Sequence, residues 1–352
     1  MKIPLLPVAL IVCWLLAGAS AKSEMLSVYV GNEPGALNDF ETWFGRQADG
    51  VQLHTGYRGW SDYTGSVGWL QGVYAAVDRT KFWSIPLIPG ASLNGSDPGG
   101  TLAAAAGSSN SAYTTAWTTI ANTLATGQPT GKIYIRTGWE FNADWFPWAA
   151  TNGKAADYVT AYRNFVTTFR SVSDRFVFEW CPNIGNQGMN PAEAYPGNEY
   201  VDVIGMDFYY DVTWDSTDRN GLDAWNYKVS EEYGLQWVVD FAAEHGKPVA
   251  YSEWGVNNPD GTAYMEAFAD WLKNSPVEVL YQNYWNSNAA FAGMLSNDQY
   301  PLLSEAYLEA FNQIPEPSTT ILLTLGGLIL FPLLRARQAP IFAKRQSKQQ
   351  RN

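Results

Sequence analysis

Two stretches place carboxylates where chemistry could use them. Residues 134–148, YIRTGWEFNADWFPW, set Glu140 among Trp139, Phe141, Trp145, Phe146 and Trp148, and residues 247–255, KPVAYSEWG, carry Glu253. An ionisable group among flat apolar rings is costly unless it is satisfied or used. Such rings strip water from the carboxyl, raise its pKa and keep it protonated near neutral pH as a proton donor. They also stack against the apolar faces of pyranoses. Two carboxyls about 5–5.5 Å apart suit glycoside hydrolysis with retention, one as nucleophile and the other as acid and then base, whereas about 6.5–9.5 Å suits inversion.

Other chemistries are short of residues. Of the two cysteines, Cys13 lies in the leading apolar run, so Cys181 alone remains in the mature chain and no internal disulfide is expected. Cys181 reads as a buried, inert thiol. The two histidines, His54 and His245, are far apart in the chain and lack a Gly-x-Ser-x-Gly turn nearby. A typical zinc site or a Ser-His-Asp arrangement is not expected from them, and both read as bland. No metal or cofactor is called for. What remains is carboxylates, with 16 Trp, 20 Tyr and 16 Phe.

Both ends read as processing signals. Residues 1–21 run Lys2, an apolar stretch from Leu5 to Leu16, then Ala19-Ser20-Ala21, the order of a secretory leader. After Ile314 come Pro315-Glu316-Pro317-Ser318, an apolar run from Thr319 to Leu334, then Arg335 and Arg337. That run is marginal for a bilayer, which takes about 20 helical residues, and basic residues behind it suit the cytoplasmic side. These three parts resemble a PEP-CTERM sorting signal of exported bacterial proteins, over residues 314–337. The basic tail at 338–352 departs from that pattern and leaves a plain membrane anchor as the alternative.

The chain of 352 residues holds 22 Lys+Arg against 34 Asp+Glu. Setting aside the seven bases outside residues 22–334 leaves 15 against 34 acids, a net of −19. A surface that negative repels nucleic acid and anionic lipid but tolerates a neutral ligand.

Residues 22–313 suit one large α/β domain. Short runs rich in β-branched and aromatic residues recur at 26–30, 50–53, 83–88, 132–136, 176–180, 201–206, 248–252 and 277–281. Helical stretches are read at 111–124, 155–169, 222–243 and 262–272; in the second, Tyr158, Tyr162, Phe165 and Phe169 fall on one face. Eight strands alternating with helices fit a closed (β/α)8 barrel, a TIM barrel, whose function collects at the C-terminal strand ends. A doubly wound open sheet is the alternative, but Gly31-Asn32-Glu33-Pro34 is a poor phosphate turn. Polar and aromatic groups follow strands four to eight, as in Trp139-Glu140-Phe141-Asn142, Cys181-Pro182-Asn183, Asp207-Phe208-Tyr209-Tyr210, Glu253-Trp254 and Asn283-Tyr284-Trp285. Strands four and seven lie across the ring from each other, so Glu140 and Glu253 can flank one bond. Asp207 reads as a local hydrogen-bonding residue.

The strands and rim residues together resemble glycoside hydrolase family 26 over roughly residues 28–312. The matching stretches are IYIRTGWEFNADWFPW, FEWCPN, YPGNEYVDVIGMDFYY and KPVAYSEWG. The resemblance implies a (β/α)8 barrel and a retaining mechanism, with Glu140 as acid/base and Glu253 as nucleophile. It further implies that Tyr209 donates to the nucleophile and that Arg136 holds the carboxylates from behind. Trp139, Asn142, Trp145, Trp148 and Trp285 are the remaining substrate-site residues so implied. The family usually places histidine before the acid/base, where this chain has Trp139, which weakens inference about the sugar. The implied substrate is a neutral β-glycan, β-1,4-mannan first, with β-1,3-xylan and mixed-linkage glucan behind it.

Three readings follow: a secreted retaining endo-β-glycanase, a barrel that binds exopolysaccharide without cleaving it, and a structural envelope protein. The expected form is a monomer, exported and held or sorted at the cell envelope.

Overall fold

The structure, a computed structural model, describes residues 24–107, 111–215 and 220–312. The leader and the two C-terminal segments lie outside these residues. Among the described residues no helix is long and apolar enough to cross a membrane.

Eight parallel strands close into a barrel in sequence order: β1 (Met25–Tyr29), β2 (Gly50–His54), β3 (Thr80–Ile85), β4 (Ile133–Thr137), β5 (Phe176–Trp180), β6 (Val203–Tyr210), β7 (Val249–Val256) and β8 (Val279–Trp285). The ring closes where β1 pairs with β8, from Met25 against Tyr281 to Tyr29 against Trp285. The expected (β/α)8 fold is therefore the observed one.

The outer layer is formed by α1 (Pro34–Phe44), α2 (Trp60–Val73), α3 (Leu102–Ala106), α4 (Ser111–Gly127), α5 (Ala155–Val172), α6 (Gly221–Ser230), α7 (Leu235–His245), α8 (Thr262–Lys273) and α9 (Pro301–Phe311). Tyr158, Tyr162, Phe165 and Phe169 of α5 are all buried, so the aromatic stripe is core, as its spacing predicts. Two expectations need correction. The long helix read over 222–243 is two helices, because the chain turns between them with Tyr233 at φ 58°. A Cβ on Gly234 would lie 2.4 Å from the Lys228 carbonyl, so only glycine fits that turn. Strands six to eight also run further than their apolar cores suggest. Parallel pairing continues from Asp207 against Glu253 to Tyr210 against Val256, so these rim residues belong to the ladder itself.

Inside the barrel, alternation sorts side chains into layers. Phe82, Val203, Ala250 and Tyr281 form an apolar plug, with the Phe82 and Tyr281 rings stacked 3.9 Å apart. Gly50 makes room for it, since a Cβ there would meet the Phe82 ring at 2.4 Å. Two residues further along the strands the interior turns polar. Gln52 donates to Ser84 at 3.2 Å and accepts from Asn283 at 2.5 Å, and Ser84 accepts from Arg136 at 3.1 Å. Glu179 accepts from Ser252 and Tyr281 in the same zone. The polar zone is the floor of the site.

Candidate active site

Glu140 sits just past β4, on a backbone that only strong local restraint would hold. Gly138 has φ 60°, and a Cβ there would lie 2.9 Å from the Tyr158 ring, whose hydroxyl donates to the Gly138 carbonyl at 2.9 Å. Glu140 itself has φ 52°, a left-handed conformation that costs a residue with a Cβ about 1–2 kcal/mol. Its N–H donates to the Cys181 carbonyl at 2.8 Å, and Trp148 Nε1 donates to the Trp139 carbonyl at 2.7 Å. Strain of this kind, clamped from both sides, aims the carboxyl at one place.

That place is shared with β6 and β7. One carboxylate oxygen from each of Glu140, Asp207 and Glu253 lies within 4.8 Å of the others. Three carboxylates so close form a possible cation donor set, but two already have their positive partner. Arg136 Nη1 donates to both Asp207 oxygens at 2.7 Å, and Nη2 donates to Glu253 Oε1. The guanidinium lies under the Trp139 ring, 5.0 Å from its centroid. Tyr209 adds a hydroxyl at 2.8 Å from Glu253 Oε2. Glu140 is bonded differently, accepting from Trp145 Nε1 at 2.6 Å and from Asn183 Nδ2 at 2.8 Å.

These partners divide the two glutamates electrostatically. Burial, and then the charge of Glu253, push the Glu140 carboxyl up to about 7 against its two hydrogen bonds and Arg136. Burial would raise Glu253 as well. There Arg136, then His54, and the bonds from Arg136 and Tyr209 prevail and hold it below the usual carboxylate range. One glutamate can carry a proton near neutral pH while the other stays charged. That is the division a proton donor and a nucleophile require.

Most residues implied by the sequence are brought together, but not all face a ligand. Trp145 is half exposed and Trp139 and Trp285 border the site at 4% and 7% exposure. Trp148 is fully buried, stacked 4.6 Å from Phe146, and supports the floor rather than touching a sugar. Asn142 is buried too. Its side chain accepts from the Asn183 N–H and donates to the Asn183 carbonyl, both at 2.8 Å, so it fixes Asn183. Arg136, 2% exposed, positions carboxylates and reaches Glu253 and Asp207 rather than Glu140. Glu253 is thus an ion-pair partner of Arg136.

His54 corrects an expectation. It is not bland: Nε2 lies 3.5 Å from Glu253 Oε1, and its ring meets Tyr29 at 4.9 Å and Trp139 and Trp285 at 5.6 Å. Burial, partly opposed by Glu253, lowers its pKa to about 4, so it stands as a neutral imidazole. Its position at the end of β2, two residues past inward-facing Gln52, was a signal available in the sequence. Asn183 was also visible at the end of β5, but only the folded loop shows that its amide turns onto Glu140.

The fold and the site define a class: a (β/α)8 barrel with paired carboxylates at its C-terminal mouth. Residues 118–285, from within α4 to the end of β8, match the sequence model of glycosyl hydrolase family 26. That stretch includes both glutamates. Over 182 residues the chain is 30% identical to a mannan endo-1,4-beta-mannosidase of Bifidobacterium adolescentis, a match covering 47% of this chain and 17% of that protein. Over 114 residues it is 30% identical to endoglucanase H of Acetivibrio thermocellus, covering 30% of this chain and 11% of that one. The chain therefore spans less than a fifth of either relative. Among solved structures, a modular endo-beta-1,4-mannanase from Cellulomonas fimi superposes with a TM-score of 0.61 at 18% identity, covering 84% of this chain and 71% of that chain. At that identity the likeness speaks for the fold.

Proposed function

We propose that the chain is a retaining endo-β-glycanase of glycoside hydrolase family 26, acting first on β-1,4-mannan. The observation that carries this reading is the pair itself: carboxylate oxygens of Glu140 and Glu253 within 4.8 Å, with opposite shifts in proton affinity. A gap of that size lies near the about 5–5.5 Å of double displacement and short of the about 6.5–9.5 Å that single displacement by water uses.

In the first step a Glu253 oxygen attacks the anomeric carbon while the Glu140 proton passes to the departing glycosidic oxygen. The sugar is left as an ester of Glu253. Water then enters, gives its proton to the Glu140 carboxylate and attacks the same carbon, releasing Glu253. Tyr209 and Arg136 hold Glu253 so that an oxygen faces that carbon, and Trp139, Trp145 and Trp285 supply apolar faces for the sugar rings. The preference for mannan rests on the names of two of the matched proteins.

The test is a panel of galactomannan, glucomannan, β-1,3-xylan and barley glucan, with products identified by mass, for the wild type, Glu140→Ala and Glu253→Ala. Unchanged hydrolysis in either variant removes that residue from its role. Trp139, occupying the position of the family's histidine and covering Arg136, favours a second reading, a barrel that binds glycan without cutting it. Retardation in a glycan gel with no release of reducing ends would support that one. Export and envelope sorting belong to the same proposal and rest on residues 1–21 and 314–337; recovery of the protein in the cytoplasmic fraction would count against them.

A further inference from the structure

The two oxygens of Glu140 are held by partners of very different freedom. Oε1 accepts from Asn183, whose backbone is fixed on both sides by the fully buried Asn142. Gln187 Nε2 donates to Asn183 Oδ1 at 3.2 Å, which sets the orientation of the amide. Oε2 accepts from Trp145 Nε1 at 2.6 Å, and Trp145 is 51% exposed. An acid/base must present one oxygen to the leaving group. Asn183 is the more tightly anchored partner, through its backbone to Asn142 and its amide to Gln187, so Oε2, whose partner is the exposed indole, is the oxygen that serves.

An N–H donor and a proton are rivals at such an oxygen. A carboxylate oxygen accepts an indole N–H strongly, as a charge-assisted bond, whereas the hydroxyl oxygen of the neutral acid accepts it weakly. We propose that the Trp145 indole and the catalytic proton compete for Glu140 Oε2, so that a glycan that turns the indole aside loads the acid. The proposal rests on the reading of Glu140 as acid/base.

The other charged and titratable groups facing Glu140 are Glu253 on β7, Asp207 and Tyr209 on β6, and Arg136 on β4. Their side chains are buried or bonded to one another, and burial keeps the Tyr209 phenol neutral. Trp145 is the exposed member of the set. The free site would thus hold the acid partly discharged, and occupancy by a sugar would restore its proton at the moment it is needed.

Two measurements on the full barrel test this. The first is the pH dependence of hydrolysis in the wild type and Trp145→Phe, an exposed position where the fold is retained. In the wild type the alkaline limb of kcat, which reports the bound complex, should lie above that of kcat/KM, which reports the free enzyme. In Trp145→Phe the kcat/KM limb should rise by about one pH unit and meet the kcat limb. Limbs that coincide in the wild type, or a kcat/KM limb unmoved in the variant, overturn the proposal.

The second needs no activity. The indole 1H–15N resonance of Trp145, identified by its loss in Trp145→Phe, should titrate with Glu140 and become flat in Glu140→Gln. A resonance flat in the wild type overturns the competition. If no glycan is cleaved while the resonance titrates, the hydrolase reading fails and the competition stands.

Discussion

Glu140 and Glu253 face each other with carboxylate oxygens no more than 4.8 Å apart, yet their surroundings push their proton affinities in opposite directions. Among the described residues Glu140 accepts from neutral donors, the Trp145 indole and the Asn183 amide. Glu253 meets a full cation, Arg136. At this distance a charge on either glutamate resists a charge on the other, so the ionised Glu253 helps to keep the proton on Glu140.

This division predicts a bell-shaped dependence of kcat/KM on pH. Activity falls on the alkaline side as Glu140 loses its proton, with an apparent pKa about 7. It falls on the acid side only below the ordinary glutamate range, where Glu253 takes one up. Initial rates on a soluble glycan from pH 3 to pH 9 check both limbs. The two values belong to the pair, so substitution of either glutamate displaces the limb of the other.

Stability follows the same linkage. A carboxyl whose pKa is raised in the folded state opposes folding once the unfolded chain ionises, above about pH 4.5, and the penalty is complete above the folded value. Raising Glu140 from 4.5 to about 7 corresponds to on the order of 3 kcal/mol at pH 8. Glu140→Gln should therefore be more stable than the wild type at pH 8 and close to it at pH 4, as read from urea midpoints. Equal midpoints at pH 8 would show that the Glu140 carboxyl is not so raised. Glu253 works the other way: its folded pKa is lowered, so its contribution is present above the unfolded value and is lost as pH falls through the folded one.

Tyr209→Phe removes the hydroxyl that donates to Glu253 Oε2 at 2.8 Å and leaves the ring packed 4.5 Å from Phe291. A hydrogen bond to a charged group is worth about 1.5–3 kcal/mol, so kcat should fall by roughly 10- to 100-fold. KM should change less, because the bond positions the nucleophile rather than the sugar. Steady-state kinetics on the same glycan separate the two effects.

The barrel was legible because its strands are short apolar runs at regular intervals, and runs of that kind announce a sheet covered on both faces. Their ends were harder to read. In β6 to β8 the ladder continues through Asp207, Tyr209, Glu253 and Trp285, where composition has already turned polar, because pairing with a neighbouring strand sustains it. Glu140 and Glu253 stood out by type and setting. His54 did not, since its place at the end of β2 marks the rim but not what lies across the ring. It comes beside Glu253 only when β2 and β7 close around Arg136. Trp148 misled for the opposite reason: a tryptophan beside others looks like a sugar platform, but the fold turns this one inward to brace the Trp139 carbonyl.

The central claim, double displacement by Glu140 and Glu253 at one anomeric carbon, is tested most directly by the configuration of the first product. Proton NMR recorded within the first minutes of hydrolysis of a β-linked oligosaccharide reads the newly formed reducing end before it mutarotates. The account predicts that this end appears first as the β-anomer and drifts afterwards towards the α/β equilibrium. An initial α-anomer would mean a single displacement by water, and Glu253 would then not be a nucleophile.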